Sequence, residues 1–271
     1  MRIVSPAGKS LKFNNKSVQY FDYKPKFEKE LYEFTILKDS ESGTILGTVK
    51  ATDELHSNIV YGIFDDTDTF IIDSSTGIIT VNENHTVSSL SYNFRVSATN
   101  SYGTCYSDIS VTTAESIYWQ LEIKQITSNG DSYFQMSDFS FVNENQERLF
   151  NYELVTSRPT NGARSDQGPD KIIDNDMSTK WCFSFRSTYS TSNPAYIIFK
   201  TTGEGNIKQY RWRTSPDTAT WGRMPITWTL KKSYTNLPYN DSGWILVDDQ
   251  VNNTSINKVN NSFFYFNIPG V

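Results

Sequence analysis

The chain has 271 residues, enough for two ordinary domains that each bury a core. A net charge of −5 lacks the dense positive surface that phosphate backbones require, which argues against a nucleic acid partner. No apolar run approaches the length that crosses a bilayer, the longest being of the "YIIF" kind at 196–199, so membrane insertion is not expected.

Charge and tryptophan divide the chain unevenly. Residues 1–115 carry 10 basic and 15 acidic side chains, residues 116–271 carry 15 of each, and all six Trp lie at position 119 or later. This shift predicts a boundary near 114–118, with an N-terminal arm at 1–29, one β-sandwich at 30–115 and a second at 116–271. The N-terminus holds no apolar core of signal-peptide length; either export does not use that route or the native start lies elsewhere. Cys105 and Cys182 fall in different predicted domains and are expected to be free thiols. Sequons at Asn15, Asn84, Asn240, Asn252, Asn253 and Asn260 are candidate surface loops and nothing firmer, since an Asn-rich chain generates them by chance.

In chain order, residues 1–29 scatter Phe13, Tyr20, Phe21, Tyr23 and Phe27 among Lys and Asn. Two readings are open: an arm that docks on a partner, or a first strand laid along the neighbouring domain. "PKFEKELYEF" at 25–34 reads as a short helix or the start of a strand, and no dozen residues hold a convincing 3.6 period. Strand signals dominate thereafter. In "YNFRVSAT", Tyr92, Phe94, Val96 and Ala98 alternate with polar residues, as do Ile226, Trp228 and Leu230 in "ITWTLK". Turn clusters such as "DSSTG" at 73–77, "SNGDS" at 128–132 and "TTGEG" at 201–205 separate the runs. Many short strands with little helix predict an all-β chain of sandwiches.

From Tyr32 to Thr113 the series "GTILGTVKATD", "FIIDSSTGIITV" and "YNFRVSATNSYG" resembles cadherin-like and bacterial immunoglobulin-like modules. Cadherins stiffen their joints with calcium held by acidic motifs. Here Asp53 is retained, but Leu55 and Asn100 stand where carboxylates are usual and no D-x-N-D-N follows Thr113, so the module reads as a calcium-independent spacer. "DDTD" at 65–68 reads as a solvated acidic turn, with a cation site as the alternative.

From Tyr118 onward, "KIIDNDMSTKW", "GRMPITWTL" and "GWILVDD" resemble the discoidin, or galactose-binding-like, jelly roll. The acidic strand that usually ends this family stands first here, as "QMSDFSFV", and "NSFFYFNI" at 261–268 is expected to fill the penultimate place. The resemblance implies a structural calcium ion held by Asp174, by the carboxylate or carbonyl of Asp176, by the Thr179 hydroxyl and by the distant acid Asp138, with Trp181 fixing the loop. A calcium-free turn held by side-chain hydrogen bonds is the alternative. Sugar-binding members of the family use exposed aromatics and arginines on end loops, which points to Trp221, Arg223, Arg213 and Tyr189 as the carbohydrate-binding set. An arginine merely stacked on an exposed tryptophan is the alternative for the Trp221 group. Trp119, Trp181, Trp228 and Trp244 read as core; Trp212, between Arg211 and Arg213, is open.

Only two His occur and no nucleophile, zinc or phosphate motif is present, so no enzyme is expected. Two functions follow as expectations. The first is a non-enzymatic attachment protein of an extracellular or virion surface, in which a sandwich spacer presents a jelly roll to surface glycans. The second is a structural component of a capsid, fibre or cell-surface appendage, in which both sandwiches pack on neighbouring copies or other proteins of the assembly; the unpaired cysteines favour assembly in a reducing compartment.

Overall fold

A computed structural model describes residues 23–54, 58–65, 68–127, 132–202 and 207–268, with the backbone of two short strands at 12–13 and 16–17. The sequence readings on residues 1–11, Asn15, Tyr20, Phe21, Leu55, His56, Asp66, 128–131 and 203–206 lie outside the described residues. The chain is almost wholly β and divides into two units, Met1–Thr113 and Ala114–Val271.

In the first unit the strands are β1 (Lys12–Phe13), β2 (Lys16–Ser17), β3 (Lys26–Phe27), β4 (Leu31–Leu37), β5 (Ile45–Thr48), β6 (Ala51–Thr52), β7 (Val60–Ile63), β8 (Phe70–Ile72), β9 (Ile78–Val81), β10 (Ser91–Asn100) and β11 (Gly103–Ala114). Alternation along β10 and β11 sends Phe94, Val96, Ile109 and Val111 inward and Arg95, Tyr106 and Asp108 to solvent. The inward set makes one core shared by the sheet β4–β11–β10–β7 and the sheet β5–β9–β8. The "PKFEKELYEF" stretch forms β3 and β4 and no helix. Of the two readings of the arm, residues 26–27 follow the strand: β3 pairs with β6 and Phe27 enters the core. Gly77 closes the β8–β9 hairpin at φ 72, where a Cβ would lie 2.4 Å from the Val49 carbonyl oxygen.

The second unit comprises β12 (Ile117–Ile126), β13 (Tyr133–Met136), β14 (Asp138–Val142), β15 (Tyr152–Arg158), β16 (Trp181–Ser184), β17 (Ala195–Thr201), β18 (Gln209–Arg213), the one-turn helix α1 (Thr218–Trp221), β19 (Pro225–Ser233), β20 (Ile245–Gln250) and β21 (Phe263–Asn267). A five-stranded sheet, β15–β17–β12–β19–β20, faces a three-stranded one, β14–β18–β21, with β13–β16 beside them. Aromatic rings fill the space between: Phe139 lies 5.4 Å from Phe199, Trp119 4.1 Å from Phe141 and Trp212 5.8 Å from Trp228. Trp212, open from sequence, is fully buried, as are Trp181 and Trp228. The early acidic strand β14 and the last strand β21 flank the same neighbour, β18, from opposite sides. Neither Cys105 nor Cys182 forms a disulfide.

Candidate functional site

The acidic loop follows a single turn of 3-10 helix at Pro169–Ile172 and ends where Trp181 enters β16. Its geometry turns on Thr179. The Thr179 hydroxyl has four oxygens within 3.1 Å: Oδ1 and Oδ2 of Asp174 and the carbonyls of Lys171 and Asp176. A hydroxyl carries one proton and satisfies one of them. Asp174 Oδ1 also accepts from the Asp176 amide at 2.9 Å and the Asp176 carbonyl accepts from the Thr179 amide at 3.2 Å, so the loop is closed by its own hydrogen bonds, while one carboxylate, two carbonyls and a hydroxyl are the groups from which it could hold a hard cation. Of the two roles open to Asp176, its carbonyl faces this cluster, while its carboxylate accepts from the Ser178 amide and hydroxyl and is held below the usual range by them. The Lys171 ammonium stands 3.5 Å from Asp174 and offsets part of its charge.

Asp138 comes to the same end of the sandwich but turns to a different cation. Its Oδ1 accepts from Arg148 Nη1 at 2.6 Å, its Oδ2 accepts from the Ser140 hydroxyl at 2.9 Å, and Arg211 stands 4.0 Å away. The second nitrogen of Arg148 donates to the carbonyl of Ile173 at 3.0 Å. A guanidinium therefore joins β14 to the acidic loop where the family resemblance places an ion, and Asp138 is not part of the oxygen cluster around Thr179. Among the described residues no three His, Cys, Asp or Glu side chains gather on one point. The loop oxygens are of the type that could hold a calcium ion; Asp138, engaged by Arg148 and Ser140, is not among them. Burial pushes the Asp138 carboxyl up, against the opposing pull of Arg148.

The carbohydrate set separates into parts. Trp221 closes α1 with 47% of its surface exposed, and the chain then passes through two left-handed residues, Gly222 at φ 74 and Arg223 at φ 56. That backbone carries the Arg223 guanidinium over the Trp221 ring and over the Tyr133 ring, 5.2 Å from each centroid. Asp217 lies 3.8 Å from Arg223 and accepts from Lys180 at 3.0 Å, while Lys180 also donates to Gln135 at 3.1 Å. Burial raises the Asp217 carboxyl, but the Lys180 bond and charge outweigh it and hold the group low. Through Lys180, the residue after Thr179, the acidic loop is tied to the base of this patch.

The other two expected members stand apart from it. Arg213 donates to the Met177 carbonyl at 2.7 Å and supports the loop from beneath. Tyr189 packs on Phe183 and Phe185 and receives Arg158 on its ring. Sequence reasoning missed Tyr133, Lys180, Asp217 and Arg148. Tyr133 borders the "SNGDS" turn and was within reach; a single Arg in "NQERLF" carries no local signal.

In the first unit, the Asn100 amide donates to Asp53 at 2.9 Å and to the Tyr23 carbonyl at 2.7 Å. A neutral amide thus faces the carboxylate where calcium-dependent repeats place further acids.

No protein-family model matches the chain, and no curated protein matches it. Among solved structures it is similar to mouse clustered PcdhgC3 EC1-3, with 21% identity over 33% of this chain and 32% of that one at a TM-score of 0.30. It is also similar to the third cadherin domain from human protocadherin 7, with 19% identity over 37% and 93% at 0.32, and to chicken VE-cadherin EC1-2, with 19% identity over 37% and 60% at 0.29. The match takes in about a third of the mouse chain. None of these three is a discoidin domain, and the discoidin resemblance gains no support from them. At such TM-scores the likeness carries no argument about function, and the two-sandwich architecture rests on the sheets themselves.

Proposed function

We propose that this chain is a non-enzymatic attachment protein of an extracellular or particle surface, whose second sandwich binds surface glycans at the patch of Trp221, Arg223 and Tyr133. The observation that carries the reading is the Arg223 guanidinium held between two solvent-exposed rings by two left-handed residues in succession. A non-glycine residue at positive φ costs about 1 kcal/mol or more and persists where the surroundings impose it. A sugar presents an apolar CH face to a ring and hydroxyl edges to guanidinium, ammonium and carboxylate groups, and Lys180 and Asp217 border the rings. A calcium ion in the oxygen cluster would be held by Asp174, Thr179 and the carbonyls of Lys171 and Asp176. When bound, such an ion would supply a fixed positive charge that stiffens the loop leading into Lys180.

A glycan array probed with the whole chain, beside Trp221→Ala, tests this. Hits that vanish in the variant support it; hits retained by the variant, or none on any glycan, overturn it. A second reading, a packing unit of a larger assembly, is favoured by the edge of the five-stranded sheet, where Ile245, Leu246 and Val251 are 50%, 58% and 70% exposed.

A further inference from the structure

The outer face of the four-stranded sheet in the first unit carries side chains that its core does not use. Phe64 and Tyr106 are 51% and 47% exposed, meet edge to face at 4.6 Å, and take the Arg95 guanidinium over the Phe64 ring at 4.6 Å. Arg95 also donates to both carboxylate oxygens of Asp65, at 3.0 and 3.1 Å. Beside this cluster runs a groove of about 440 Å³ lined by Leu31, 47% exposed, with Asp65 and Asp108 among its walls. Aromatic rings with an arginine, set around an apolar floor, form the composition of an interface hot spot, and these residues lie outside the core that β10 and β11 bury.

Three occupants compete, and charge decides among them. A neutral sugar would leave the net negative charge of the groove uncompensated. A second copy related by a two-fold axis would bring Asp65 and Asp108 of both chains together. Two carboxylates against the one guanidinium leave the groove a single positive charge short, and Leu31 offers a surface for a methylene stem. We propose that this face binds a lysine- or arginine-bearing peptide segment of a partner protein, its stem along Leu31 and its cationic head between Asp65 and Asp108. The first sandwich is then a second binding module in place of a passive spacer. This inference is independent of the glycan reading, since it uses the other unit.

Fluorescence anisotropy of a labelled decalysine peptide titrated with the full chain tests the proposal, with decaglutamate as the opposite-charge probe. Asp108→Asn leaves the Arg95–Asp65 pair standing, so its fold is preserved. We expect decalysine to bind, to weaken with added salt, and to lose about tenfold in Asp108→Asn and more in the Asp65→Asn/Asp108→Asn pair. Glu144→Gln and Asp249→Asn, acids of the other unit, are expected to change nothing. Equal binding by the groove variants, an equal loss in the distant variants, or equal capture of decaglutamate each overturns the assignment.

Discussion

Arg148 and Asp138 lie ten positions apart and meet at 2.6 Å, with the same guanidinium reaching 3.0 Å to the Ile173 carbonyl. Arg148→Met strands a carboxylate that is 2% exposed, and removal of one partner of a buried pair costs about 3–5 kcal/mol. The sign with pH is set by the raised Asp138 carboxyl. The folded state binds this proton more tightly than the unfolded chain, so the group favours folding below its unfolded value and loses that contribution as pH rises through its folded value. Without Arg148 the carboxyl rises further. Urea denaturation should therefore show a smaller gap between variant and parent at pH 5 than at pH 7; a gap that widens on acidification contradicts the placement.

Calcium is expected to matter little to stability. With four loop groups and no help from Asp138, the affinity falls in the class of about 10⁻⁴–10⁻³ M. At ~1 mM ion and a Kd near 1 mM the gain is about 0.4 kcal/mol, a Tm rise of roughly 1–2 °C for a unit of this size. Differential scanning calorimetry with calcium and with chelator measures it, and a rise of several degrees more would mean that Asp138 leaves Arg148 for the ion.

Trp221→Ala removes a side chain that is half exposed, so its stability should stay within about 0.5 kcal/mol of the parent while glycan retention disappears. Gly222→Ala acts in the opposite manner. It places a Cβ at φ 74 and should cost about 1–2 kcal/mol while loosening Arg223 from the rings, read as faster off-rates on an immobilised glycan.

Gly77→Ala should destabilise the first unit by about 2–3 kcal/mol, combining left-handed strain with a Cβ set 2.4 Å from the Val49 carbonyl oxygen. Chemical denaturation followed in parallel by far-UV circular dichroism and tryptophan emission separates the units: every tryptophan belongs to the second, so a transition seen by dichroism and not by tryptophan belongs to the first. In the same turn the Asp73 carboxylate accepts from Ser75 and Thr76 and is held well below the usual range, first by the Ser75 hydroxyl. Its contribution is present above the ordinary carboxylate value and is lost as pH falls through the depressed one. Asp73→Asn should flatten the acid limb of the stability curve for this unit.

Much of the fold was readable because its signals are local. The alternation in "YNFRVSAT" depends only on the period of an extended chain, and β10 buries Phe94, Val96 and Ala98 as that period demands. The five other tryptophans reach the core while Trp221, flanked by Gly, Thr and Pro, stays exposed. The candidate sites were legible only in part. Asp174 and Thr179 meet because they share one loop, whereas Arg213 and Tyr189, equally plausible by type, were drawn to Met177 and to the Phe183–Phe185 pair.

Chain chemistry alone determined the all-β class, the division of charge and tryptophan, and the acidic loop, since each follows from residue type and short-range spacing. Which cation faces Asp138 was decided only by the tertiary structure. Pairing of β14 with β18 brings the 143–150 connection and the 170–180 loop to one place, and no local pattern records that three distant segments will meet there. Electrostatics in a buried site depends on separations of a few ångström, and those separations exist only once the sheets have paired.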